Sequence, residues 1–278
     1  MRRLLAHPSL VVGMGISVLF ALLAMVSLVW TPFPIADIDI GRRFLGVTAE
    51  HWLGTDNLGR DMVSLLMAGT LTSFVVAAVA VAIGVGVGVP LGLAAAAWGG
   101  PVEWLVLRLS DFIFAFPAVV VAILITALIG PGAINAIIAI GIFNIPVFAR
   151  VARGGALSIA TLDFVAAGRL AGLGNAAIAY RHLLPNILSL IIVQGTIQMS
   201  LGILAEAGLS YIGLGTQPPE TSLGLMLKDA QSVFLIHPWL GLAPGLAIVL
   251  IVIGLNLAGD GLRDAVDPRL RQVQTNVA

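Results

Sequence analysis

The sequence predicts an all-α, polytopic membrane protein with six transmembrane helices, and three observations carry that expectation. Of its 278 residues, 59% are hydrophobic and only 10% charged, against about 25% charged in a typical soluble domain. The mean hydropathy is +1.06, and a soluble fold of this length could not hide so much apolar surface. The apolar residues also gather in continuous runs of about 20, the length of helix that crosses a bilayer core about 30 Å thick. Those runs do not alternate polar with apolar positions, which excludes the strands of a membrane β-barrel.

The six runs cover residues 10–30, 71–98, 104–129, 134–151, 184–207 and 239–258. Polar stretches or Pro/Gly breaks separate them, among them residues 31–69 and the turn Gly130-Pro131-Gly132. The first run follows Arg2 and Arg3, as a signal peptide would. It is long for one, and Trp30-Thr31-Pro32-Phe33-Pro34 makes a poor small-residue cleavage site, so it reads as an uncleaved anchor. Basic residues then set the orientation. With the N-terminus cytoplasmic, Arg2, Arg3, Arg108, Arg150, Arg153, Arg169, Arg181, Arg263, Arg269 and Arg271 fall inside. Only Arg42, Arg43, Arg60 and Lys228 fall outside. Both termini are therefore expected in the cytoplasm, together with the polar segment 157–183.

Several chemistries are excluded. A phosphate-binding loop needs a Gly-rich turn ending in Lys and then Ser or Thr, and the only lysine, Lys228, precedes Asp229. With zero net charge there is no basic field for nucleic acid. The chain has no cysteine, hence no disulfide, thiolate nucleophile or Cys-based zinc site. His7, His51, His182 and His237 are scattered without metal-ligand spacing, so no metal site is expected. Ser210 lies between Gly208 and Gly213 without the spacing of a nucleophile elbow. The methionines are dispersed, which suits packing.

Within the spans, ion-coupled carriers expose acids or histidines at mid-membrane, whereas here those positions are nearly all neutral. Asp111 is the deepest acid, and Arg108 three residues earlier shares its helix face, so the two are expected to form a structural ion pair. Glu206, near the outer end of the fifth span, is expected to reach interfacial water. Asn144, Gln194 and Gln198 either line a path or bond neighbouring helices. Gly84, Gly88 and Gly92 give one face of the second span a smooth groove for a close helix neighbour, and Pro90 loosens that helix's backbone ladder.

The polar segment reads Thr161-Leu-Asp163-Phe-Val-Ala166-Ala167-Gly168-Arg169-Leu-Ala-Gly172-Leu-Gly174-Asn175, and continues to His182-Leu-Leu184-Pro185-Asn186. It predicts a short helix capped by Thr161 or Asp163, a break at Gly172–Gly174, and a second short helix ending before Pro185. Ala166, Ala167 and Gly168 carry almost no side chain, so another protein could grip this knob closely. The segment resembles the coupling loop of ABC importer permeases, whose pattern is Glu-Ala-Ala, three residues, Gly, nine residues, an apolar position, any residue, and Leu-Pro. Ala167 fits the second position, Gly172 the glycine, and Leu184-Pro185 the ending. Ala166 stands in place of the acid and Gly168 in place of the second alanine. His182 through Asn186 resembles the ending found in the peptide and nickel branch. Residues 51–61, Arg108 to Asp111 with Phe116-Pro117, residues 209–219 and, near the end, Pro238-Trp239, Pro244-Gly245, residues 256–264 and Asp267-Pro268-Arg269 also resemble that branch's C-type permeases.

The resemblance implies a type I ABC importer permease fold in the cytoplasmic (inner) membrane. The division expected is an anchor helix with an extracytoplasmic segment over 1–70 and a permease domain over 71–278, with its coupling loop at about 157–183. Asp163, Ala166, Ala167, Gly168, Gly172, His182, Leu184 and Pro185 would then meet the ATPase. A homologous second permease, one or two ABC ATPase subunits that bind ATP and Mg, an extracytoplasmic solute-binding protein and membrane lipid are the implied partners. The chain itself would be no enzyme and hold no cofactor. Peptides lead among the expected solutes, with nickel, opines, glutathione and oligosaccharides as alternatives in the same branch, and an ion-coupled carrier as the rival mechanism.

Overall fold

The structure, a computed structural model, describes residues 8–266. Arg2, Arg3, Arg269, Arg271 and both termini, on which part of the expected orientation rests, lie outside the described residues. Among those residues there are only helices, loops and one isolated bridge between Thr55 and Asp61. The order is α1 (Pro8–Val26), α2 (Met62–Ile83), α3 (Val89–Trp98), α4 (Gly100–Phe114), α5 (Ala118–Ile129), α6 (Ala133–Ile159), α7 (Asp163–Leu170), α8 (Asn175–Ile178), α9 (Leu184–Tyr211), α10 (Leu223–Gln231) and α11 (Trp239–Val266). A π turn over Gly84–Gly88 joins α2 and α3 into one helix, Met62–Trp98. A second, over Ala179–Leu183, joins α8 and α9 into Asn175–Tyr211. Among the described residues, five helices are long and apolar enough to cross a membrane.

The third expected span, 104–129, is two shorter helices. Pro117 disfavours the helical conformation of Phe116, so α4 stops at Phe114 and α5 restarts at Ala118. The second span begins at Met62, well before the expected residue 71. Asp61 accepts a hydrogen bond from the Ser64 backbone N–H at 2.8 Å and so caps the helix. Hydropathy placed the end of the fourth span at residue 151, yet α6 continues to Ile159. Its arginines Arg150 and Arg153 reach the carboxylates of Asp111 and Glu103 on α4, so their charge does not end the helix.

Pro185 does not end a helix either. Its missing N–H leaves the Arg181 carbonyl without an i→i−4 partner, and its ring would crowd that carbonyl. The chain widens into the π turn centred on Arg181, where the Leu184 N–H donates to Ala179 five residues back. Pro90 stands in the same relation to the π turn centred on Gly86. Helix contacts rely on small residues. The groove of Gly84, Gly88 and Gly92 is filled by α6, where a Cβ at Gly88 would strike the Ile145 carbonyl and one at Gly92 the Ala149 carbonyl. Helix α1 runs along α11, with Gly13 against Gly254 and Ala258, and Gly261 against Leu10.

Candidate functional site

At one end of the bundle, α7 and α8 form the knob. Helix α7 begins at Asp163, with Leu162 as its N-cap, so neither Thr161 nor Asp163 caps it by a side-chain hydrogen bond. It ends in a Schellman arrangement: the Gly172 N–H donates to Arg169 at 3.0 Å, and the Leu173 N–H to Gly168 at 3.1 Å. That geometry requires the left-handed backbone found at Gly172, φ 83°. Val165 is buried in an apolar core with Leu93 of α3, Phe148 and Ala152 of α6, and Ile178 of α8. Ala166 and Ala167 face outward, and Leu170 is 90% exposed. Gly168 differs from its neighbours, being turned inward against the imidazole of His182. His182 is half-buried, Leu184 also, and Pro185 exposed. Asn186 Nδ2 donates to the His182 carbonyl at 2.7 Å.

A cleft of about 500 Å³ lies between α5, α6 and α9. Its wall is apolar apart from Asn144 and Gln198, and no charged side chain lines it. Gln198 Nε2 donates to Asn144 Oδ1 at 2.7 Å across the α6–α9 contact, and Gln194 Nε2 lies 3.4 Å from Gln198 Oε1. Asn144 and Gln198 therefore bridge α6 and α9 while also lining the cleft.

The expected pair of Arg108 with Asp111 is not formed. Asp111 takes its partner from α6, Arg150 Nη2 at 2.6 Å, while the Arg108 guanidinium lies over the Trp104 ring. Spacing along one helix picked a neighbour in sequence, and the packed α6 offered a nearer cation.

The opposite end holds a group that sequence reading misjudged. Glu206 is fully buried. Its carboxylate accepts hydrogen bonds from Ser73 of α2 and Ser210 of α9, both at 2.6 Å, and from Thr216 at 3.3 Å. Ser210 Oγ in turn accepts from the Thr216 N–H at 3.0 Å. The 212–222 segment folds back over this clasp, and Gly224 lies against the Ala207 backbone. Nearby, His51 Nδ1 meets Asp61 at 3.0 Å in a buried contact. Asp56 accepts from the backbone N–H groups of Leu58 and Arg60 and pairs with the Arg60 guanidinium. Burial pushes the Asp229 carboxyl above its ordinary range, against the pull of Arg60 3.7 Å away. Among the described residues, no three His, Asp or Glu side chains gather as metal ligands do.

Residues 88–272 match the family model described as "Binding-protein-dependent transport system inner membrane component". The chain is 38% identical over 261 residues to the dipeptide transport system permease protein DppC of Alkalihalophilus pseudofirmus, covering 94% of this chain and 86% of that one. It is 38% identical over 233 residues to the glutathione transport system permease protein GsiD of Pectobacterium atrosepticum, covering 84% and 77%. The fold is similar to a chain of the MetNI methionine ABC transporter in an inward-facing form. There the TM-score is 0.61 at 19% identity, covering 74% of this chain and 98% of that one. An all-helical bundle of membrane-spanning helices, the knob sequence and a family match over two thirds of its length agree, and the chain belongs to the binding-protein-dependent transport system inner membrane component family.

Proposed function

We propose that this permease forms half of the path for peptides in an ATP-driven importer and couples that path to separate ATPase subunits. The single observation that carries the coupling role is the knob. It is a capped eight-residue helix whose outer face offers Ala166, Ala167 and Leu170 and whose inner face is anchored through Val165. Asp163, Gly172 and the segment from His182 to Pro185 complete the surface that meets the ATPase, while Gly168 supports it from behind. ATP and Mg bind to the partner subunits. A homologous permease supplies the other half of the path, and an extracytoplasmic solute-binding protein delivers the solute. In this reading the knob end faces the cytoplasm and the Glu206 end faces outward, with residues 1–70 as anchor and outer segment and 71–278 as the permease domain.

Peptides are favoured because relatives named for dipeptide and glutathione transport cover most of this chain, and glutathione is itself a short peptide. The neutral cleft beside Asn144 and Gln198 suits a path whose selectivity is set by the binding protein. In a reconstituted complex, Gly172→Asp is expected to insert normally and keep ATP hydrolysis while losing most peptide uptake. Normal uptake by that variant would remove the knob from the coupling role.

A further inference from the structure

On the knob side of the bundle, the two π turns border one open cleft of about 480 Å³. Gly86 and Val87, from the turn Gly84–Gly88, line one wall, and Ala179 and Tyr180, from the turn Ala179–Leu183, line the other. Gly84 and Gly88 pack on α6, but a Cβ at Gly86 would meet no atom within 4 Å. Gly86 therefore opens on the cleft and not on a helix neighbour. Widened turns of this kind recur where a helix serves a function beyond packing.

The cleft runs from Gly86 along α3, past Pro90 and Leu91, to Trp98. That advance rises about 18 Å, close to the hydrocarbon depth of one leaflet, about 15 Å. Val87, Leu91 and Trp98 are exposed along it at helical spacing. An apolar cleft that opens into a bilayer takes up hydrocarbon, since water would find few polar partners there and an empty space forfeits dispersion contacts. The mouth near the knob has a different chemistry. Trp98 and Tyr180 are both exposed there, and these are the side chains that gather at the membrane–water interface. Arg181, the next residue, is exposed as well. Among the described residues it has no ion-pair partner, unlike Arg150 and Arg153.

We infer that this cleft is a lipid site, which holds one acyl chain of an anionic phospholipid from the leaflet at the knob end. The chain lies along Val87 and Leu91 with its tip at Gly86, and the ester region sits between Trp98 and Tyr180. The headgroup phosphate meets Arg181, whose charge no carboxylate of this protein neutralises among the described residues. A phospholipid seated there bridges α3 to the helix that leaves the knob. The inference rests on the importer reading only where that leaflet is named the cytoplasmic one.

The test uses the assembled transporter in phosphatidylcholine nanodiscs doped with phosphatidylglycerol that carries a diazirine near the end of one acyl chain. After illumination, peptide mapping should place label on Gly86, Val87 and Leu91, saturating as the probe is raised and falling when unlabelled phosphatidylglycerol replaces phosphatidylcholine. Val18 and Leu19, exposed on α1, report ordinary lipid contact and should rise in simple proportion to the probe. Gly86→Trp fills the cleft from its open wall and should lower the cleft label about tenfold while Val18 and Leu19 keep theirs. Arg181→Gln should raise the phosphatidylglycerol fraction for half-maximal label about fivefold. That surface variant decides the matter if the tryptophan variant melts early. Cleft label that never saturates, that ignores Arg181→Gln, or that is missing because the second permease covers the cleft would overturn the inference. In vesicles with the probe in one leaflet, saturable cleft label from the leaflet away from the ATPases would keep the lipid site and overturn the orientation given to the knob.

Discussion

At the Glu206 end, four polar side chains from three stretches of chain meet in a fully buried cluster, and each hydroxyl has the carboxylate as its partner. At the knob end, the contacts are apolar or exposed: Val165 in its core, Gly168 against His182, and ion pairs from α6 to α4. Directional bonds in a buried site fix one geometry, because any displacement leaves a polar group unmet. Apolar contacts between small residues tolerate sliding at little cost. One end of this permease is thus held by directional bonds, and the other by contacts that suit the coupling role proposed for the knob.

The comparison breaks most visibly at Glu206. Glu206→Ala leaves three buried hydroxyls without their acceptor and should lower stability by about 3 kcal/mol or more, read as the melting midpoint in detergent. Glu206→Gln keeps a carbonyl acceptor and should cost less. An alanine variant that melts like its parent would mean the cluster holds nothing. Gly172→Ala should come next. A left-handed residue with a Cβ costs about 1–2 kcal/mol, and here the loss should stay in the knob. Hydrogen exchange would quicken over residues 163–173 while the global midpoint holds; a shift in that midpoint would mean the knob and the bundle melt as one.

Arg150→Ala removes a half-exposed ion pair and should cost no more than about 1 kcal/mol, less in high salt. A larger loss from Arg108→Ala than from Arg150→Ala would reverse the pairing described above. The smallest effect belongs to Asp229. Its folded-state pKa is raised, so the folded protein binds the extra proton above the ordinary carboxylate range. The stability that this proton contributes is present at low pH and falls as pH rises through the window between the unfolded and folded values. Asp229→Asn should flatten that slope in a pH series of melting curves, and an unchanged slope would assign it to another group.

Much of this was legible in the sequence. The apolar runs located the spans, and Gly172 with Leu184-Pro185 located the knob, because hydropathy and capping glycines act over neighbouring residues. Phe116-Pro117 lay in view but was outweighed by the unbroken apolar run around it. The π turns were hidden, since a shift of one residue in hydrogen-bond register leaves no mark on hydropathy, and Pro185 therefore looked like a helix end. Glu206 was read as solvated because its partner Ser73 lies 133 residues away on α2 and Thr216 reaches it only when the 212–222 segment folds back. Arg150 was overlooked for Asp111 for the same reason, the two lying 39 residues apart.

The seam where Gly13 of α1 meets Gly254 and Ala258 of α11 has a consequence for biosynthesis. The ribosome completes α1 more than two hundred residues before it completes the helix α1 packs against. At about 5–20 residues per second, α1 waits in the bilayer for tens of seconds with its glycine face against lipid. Until α11 arrives, the face that carries Gly13 lacks the helix it packs on in the finished fold.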